Sequence, residues 1–209
     1  MPTLANMEKV NGIVISGAAA PTDRHILLGT QTASSSATLS FSGINSHRSD
    51  VLRSSFDVLE FRFMNMHPAT DAAWFGFQVN ASGQTGFNEV ITSTFFRAYH
   101  NEGDSAAALS YDSGKDQAQG TAYNYLTPSA GNDNDQAVSG VLTLYAPSST
   151  TYVKHFTGTT ATANDTDYIQ NSFSAGYINT TAAIDEISFK FSSGNIDAGQ
   201  IKMYGIAKA

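Results

Sequence analysis

The chain of 209 residues has no cysteine at all. That excludes disulfide staples and thiolate metal sites together. It is also poor in charge: Asp, Glu, Lys and Arg make up 14 % of residues, against about a quarter in an ordinary globular chain. Its polar surface therefore has to be built from Ser, Thr, Asn, Gln and Gly. Basic residues are the scarcer sign, 11 Lys+Arg against 18 Asp+Glu, for a net charge of −7. With no Lys/Arg cluster anywhere, counterion release has nothing to act through, and nucleic acid is not an expected partner. No apolar run approaches the ~20 residues of a membrane-spanning helix. The first residues (M-P-T-L-A-N-M-E-K-V-N-G) lack the basic start and apolar stretch of a secretory signal.

What the chain does have is aromatic mass and a period of two. There are 13 Phe and 9 Tyr, enough for a substantial core. Near the C-terminus, Ile187, Phe189 and Phe191 alternate with Glu186, Ser188 and Lys190. After the turn Ser192-Ser193-Gly194-Asn195, Ile201 and Met203 alternate with Lys202 and Tyr204. Side chains on a strand point alternately to opposite faces, so each run has one apolar face that a second sheet must cover.

The same pattern recurs from residue 37 onward, at 37–42, 57–66, 74–80, 90–99, 139–145, 151–157 and 171–179, more weakly at 107–111 and 121–126. Explicit turn chemistry separates the runs: His67-Pro68, Ser82-Gly83-Gln84-Thr85-Gly86, Pro147-Ser148-Ser149. No long window has a helical period, apart from a candidate helical turn around Ser46–Ser55, and no fixed repeat is visible. These signals predict an all-β, two-sheet antiparallel sandwich, jelly-roll-like, of about ten strands. Phe61, Phe63, Phe75, Phe77, Leu142, Leu144, Phe189 and Phe191 are expected between the sheets.

Residues 1–36 carry two short apolar runs, N-G-I-V-I-S-G and R-H-I-L-L-G-T, between small-residue linkers. The expected division is an N-terminal arm, 1–36, and a sandwich domain, 37–209; two edge strands of the same sandwich is the competing reading.

Chemistry-bearing constellations are few. His100, Glu102 and Asp104 fall at alternate positions and would share one face of a strand. Gly103 argues for a turn instead. The oxygen-rich stretches Gly131–Asp135 and Asn164–Asp167 lack the central Gly and terminal Glu of a calcium loop and read as Asx turns. The five histidines make no H-x-H or H-x-x-x-H pair, there is no G-x-S-x-G elbow, and the separation of Glu60 and Glu89 is not readable. No catalytic residue, metal or cofactor is expected. Trp74 reads as core, with sugar stacking as the alternative. Tyr99, Tyr111, Tyr123 and Tyr125 lie near strand ends beside polar loops, and are candidates for a contact surface with protein or glycan.

A set of strings carries a resemblance. They are F-R-F-M-N-M-H-P-A-T-D (61–71), G-F-N-E-V-I-T-S-T-F-F-R-A-Y-H (86–100), D-N-D-Q-A-V-S-G-V-L-T-L-Y (133–145), P-S-S-T-T-Y-V-K-H-F (147–156), A-G-Y-I-N-T-T-A-A-I (175–184) and S-S-G-N-I-D-A-G-Q-I-K-M-Y-G-I (192–206). Together they resemble small virion structural proteins of tailed phages, marine ones especially, over roughly residues 37–206. The resemblance implies a non-enzymatic β-sandwich on the virion exterior, as head decoration or in the tail. Such a protein is made in the host cytoplasm and released by lysis. Its expected partners are further copies of itself, with a trimer as first expectation, other virion proteins, and a host surface glycan if it serves adhesion; no membrane insertion is expected. A glycan-binding adhesion module is the second expectation, and a polysaccharide depolymerase the third.

Overall fold

A computed structural model describes residues 25–45 and 56–207, together with the backbone of two short paired strands, β1 (Met7–Val10) and β2 (Ile13–Ser16). The helical turn expected around Ser46–Ser55 lies outside the described residues. Twelve further strands follow: β3 (His25–Thr32), β4 (Leu39–Ser42), β5 (Phe56–Pro68), β6 (Phe75–Ala81), β7 (Ile91–Asn101) and β8 (Ala107–Tyr111). Then come β9 (Asn124–Tyr125), β10 (Val138–Tyr145), β11 (Lys154–Ala163), β12 (Tyr168–Ile178), β13 (Ile184–Phe191) and β14 (Ile196–Ala207).

They form two antiparallel sheets packed face to face, of order β3-β14-β5-β10-β11-β12-β7-β8 and β4-β13-β6-β9. Eight of them make a jelly roll. β3, β14, β5 and β10 lie opposite β4, β13, β6 and β9, with the chain crossing between sheets as two Greek keys require. The other four strands are two inserted hairpins. β7–β8 enters between β6 and β9, and β11–β12 between β10 and β13. Both add to the β10 side of the larger sheet, where β12 and β7 pair over their full length.

All eight residues expected in the core are buried, none more than 2 % exposed. Phe189 stands at the centre, its ring within 5.3–6.5 Å of those of Phe41, Phe61, Phe63 and Phe75. Phe63 and Phe75 meet edge to face across the sheets at 5.2 Å, a favoured aromatic geometry. Phe77 and Phe156 extend the contact to the first inserted strand at 5.0 Å. Gly176 makes room there: a Cβ on it would lie 2.4 Å from the Thr92 carbonyl and 2.7 Å from the Phe156 ring.

R-H-I-L-L-G-T, placed by the sequence in the arm, supplies β3. This strand pairs with β14 from His25 to Thr32 and forms one edge of the larger sheet. The sandwich therefore takes in residues on the N-terminal side of position 37, as the competing edge-strand reading had it for this run. Ser36 bridges to Ile196, and Ala33 joins the core. In the other direction, the strand expected at T-Y-V-K-H-F-T starts only at Lys154 and runs on through G-T-T-A-T-A to Ala163.

Candidate functional site

The inserted half differs from the jelly roll on both faces. Where it borders the core its inner face is apolar, through Ile91, Phe156 and Ile178. Beyond that line it buries Ser93, Thr160, Thr162, Gln170, Ser172 and Ser174, together with Phe95. Some of these are satisfied. Thr160 Oγ1 donates to the Leu126 carbonyl at 2.7 Å, Ser93 Oγ donates to Asn124 Oδ1 at 2.7 Å, and Arg97 donates to Gln170 Oε1. The hydroxyls of Thr162, Ser172 and Ser174 and the Nε of Arg97 have no partner among the described residues. Lys154, at the start of β11, is fully buried. Its ammonium donates to the carbonyls of Thr180 and Ala182, and burial pushes its pKa below the ordinary lysine value, with the charge of Glu89 opposing.

The outer face is the reverse. Register sets Tyr111, Phe96 and Phe173 side by side across β8, β7 and β12, and the Phe96 and Phe173 rings stack at 5.0 Å. The neighbouring rows are Leu109–Ala98–Asn171 and Ala107–His100–Ile169. Leu109 is 71 % exposed, Tyr111 57 %, Ile169 53 % and Phe96 41 %. No Asp, Glu, Lys or Arg stands on this face in any of the four inserted strands. The jelly-roll part of the same face carries Glu60, Arg62 and Lys202; Arg62 bonds Glu60 at 3.0 Å and lies over the Tyr204 ring. Away from the core border the inserted half thus buries hydroxyls and amides around a single phenylalanine, Phe95, and carries an apolar cluster outside.

The four tyrosines expected to form a contact surface divide among three places. Tyr111 lies on the apolar outer face; its hydroxyl donates to Asp116, which raises its pKa. Tyr99 is on the inner face, edge-on to Tyr168 at 5.6 Å. Tyr123 and Tyr125 lie on the outside of the smaller sheet, near Trp74, which meets Tyr125 edge-on at 5.1 Å. Trp74 is half-buried, and the Lys115 ammonium sits 3.5 Å over its ring. Burial lowers the Lys115 pKa, and Asp112 partly opposes this. Lys190 covers Tyr123 in the same way at 4.3 Å.

The three oxygen-rich segments, scattered in sequence, converge at the far end of the inserted half. His100, Glu102, Asp135, Gln136, Asn164 and Asp167 line a cleft of about 490 Å³. Turn chemistry engages Asn164, Gln136 and His100 among them. Asn164 Oδ1 accepts from the N–H groups of Thr166 and Tyr168, Gln136 Oε1 accepts from the Asp133 N–H, and His100 contacts Asp104 at 3.1 Å. No group of three His, Asp or Glu side chains among the described residues is placed to hold a metal ion. Glu60 and Glu89 do not face one another as a catalytic pair would: Glu60 is on the outer face of β5 with Arg62 and His25, while Glu89 accepts from the Ala81 N–H. No helix among the described residues is long and apolar enough to cross a membrane.

Sequence reasoning missed the outer apolar face. Its signal is the absence of charge from 151–163 and 169–178 outside Lys154 and His155, which periodicity does not register. No family model, curated protein or solved structure matches the chain.

Proposed function

We propose that this protein is a non-enzymatic assembly protein of a tailed-phage particle, exposed on the virion as capsid decoration or as part of a tail appendage. The inserted half is the part that neighbouring subunits cover. One observation carries the assembly reading, namely the exposed apolar cluster on the outer face of that half. Apolar side chains exposed in a contiguous group mark interaction sites; the four strands put no Asp, Glu, Lys or Arg on this face, and the carboxylates that reach it, Asp116 at Tyr111 and Asp104 at His100, come from loops. The virion setting rests on the string resemblance over residues 37–206.

The glycan-binding alternative has Trp74, Tyr123 and Tyr125 on the outside of the smaller sheet as its best surface. The chain's own lysines cover a face of two of those rings, which ranks that reading second. A depolymerase reading finds no carboxylate pair at Glu60 and Glu89.

Light scattering on the intact chain tests the assembly reading. A multiple of the 22.2 kDa chain mass is expected, and Phe173→Asp should lower it with the melting temperature retained. A chain that is monomeric at high concentration overturns the reading.

A further inference from the structure

We infer that β8 is a self-pairing edge: two copies join β8 to β8 about a two-fold axis at Leu109, fusing their larger sheets into one. This rests on the assembly reading and adds to it a contact at the edge of the same half.

Backbone parity comes first. Beside β8, Asn101 N–H donates to the Ala106 carbonyl and Asp112 N–H to the Phe95 carbonyl, both at 3.1 Å. Hydrogen-bonded and non-bonded positions alternate along an antiparallel pair, so Ala108 and Ser110 also bond to β7. Ala107, Leu109 and Tyr111 therefore turn their N–H and C=O groups to the open side. No described residue bonds to them.

Such an edge is a template for another strand unless something blunts it. The other edges are blunted. β9 has two residues and β4 four, and β3 carries a register shift beside Leu28. β8 reads A-A-L-S-Y, with no charge, no proline and an unbroken register.

The occupant that fits is a second copy. An antiparallel two-fold centred on Leu109 sets it opposite the partner's Leu109, and sets Ala107 opposite the partner's Tyr111, small against large. All the outward groups of β8 then pair, because the residues that face each other are the ones whose backbone points outward. At net charge −7 two copies repel, and β8 itself brings no charged side chain to the pair. A two-fold gives pairs of chains, a different grouping from the trimer first expected.

The absence of cysteine makes the test clean. Facing residues of a hydrogen-bonded antiparallel pair have Cα atoms about 5.5 Å apart, within disulfide reach. Leu109→Cys should oxidise to a covalent dimer, whereas Thr157→Cys, exposed on the same outer face but three strands inward, should stay single. Leu109→Pro removes the outward N–H at the axis without losing a bond to β7, so it should dissociate the dimer and keep the melting temperature. If the intact protein self-associates but Leu109→Cys links no better than Thr157→Cys, or Leu109→Pro keeps the assembled mass, edge pairing is wrong and assembly uses another surface. If the intact protein is monomeric, the assembly reading itself falls.

Discussion

Four of the eight jelly-roll strands share a sheet with the four inserted strands, yet the two regions solve different problems. The jelly roll places Phe61, Phe63, Phe75 and Phe189 inside and Glu60, Arg62 and Lys202 outside, the arrangement that makes a domain stable by itself. The inserted strands place Thr162, Ser172 and Ser174 inside, beside Phe95 and Phe156, and Leu109, Phe96 and Phe173 outside. Burial drives folding in the first region and is available for association in the second. A continuous hydrogen-bonded ladder lets one sheet hold both, because backbone pairing does not depend on which face is apolar.

The widest expected gap between the halves is at Phe189. Replacing it with Ala removes a ring that touches four others and should cost ~3–5 kcal/mol, much of the stability of an ordinary domain. Phe173→Ala, on the outer face, should change the unfolding midpoint little while reducing self-association. Chemical denaturation of both variants in dilute solution checks this. A loss below ~1 kcal/mol at Phe189 would show that the core has another centre.

The core was legible because its aromatics alternate with polar residues at a strict period of two, and burial follows the aromatic face. The inserted half was not. In N-S-F-S-A-G-Y the same rule would turn Phe173 inward and Ser172 and Ser174 outward, and the structure has the opposite. Periodicity shows that two faces differ; which one is covered depends on what lies opposite, here the segment from Gln117 to Gln136 with its buried Asn124, Thr127 and Gln136. β11 was cut short for a related reason: G-T-T-A-T-A has no apolar alternation, yet Thr160 and Thr162 are its inward positions. The cleft was legible only in pieces. Its three segments were found as turns, but their convergence comes from the topology that sets the β7–β8 and β11–β12 turns side by side.

The next effect in size is at Lys154, where the two halves meet. Lys154→Ala leaves the carbonyls of Thr180 and Ala182 without their donor and should cost about 1–3 kcal/mol. Lys154→Met keeps the volume, removes the buried charge and should lose less. The pH dependence has a definite sign. The folded-state pKa lies below the ordinary lysine value of about 10.5, so across that interval the unfolded chain binds more protons than the folded one. The stability of the native protein relative to Lys154→Met should therefore rise with pH as the solution approaches about 10.5. Lys115 shifts in the same direction but is present in both proteins and cancels. Denaturant midpoints at a series of alkaline pH values measure the difference; a flat or falling difference would place the ammonium in water.

The smallest effect separates two threonines on one face of one strand. Thr160 and Thr162 both point inward from β11 and both are buried, but among the described residues only Thr160 has a partner, the Leu126 carbonyl. Valine has nearly the shape of threonine, so each replacement deletes a hydroxyl without opening a cavity. Thr160→Val leaves the Leu126 carbonyl unpaired and should cost about 1–2 kcal/mol. Thr162→Val removes a buried hydroxyl with no protein partner and should be neutral or stabilising by up to about 1 kcal/mol. Paired denaturation curves with unchanged slope decide it. If Thr162→Val loses as much as Thr160→Val, the hydroxyls of Thr162, Ser172 and Ser174 are bonded to ordered water, and the inner face of the inserted half is a hydrated layer where the jelly roll has a dry core.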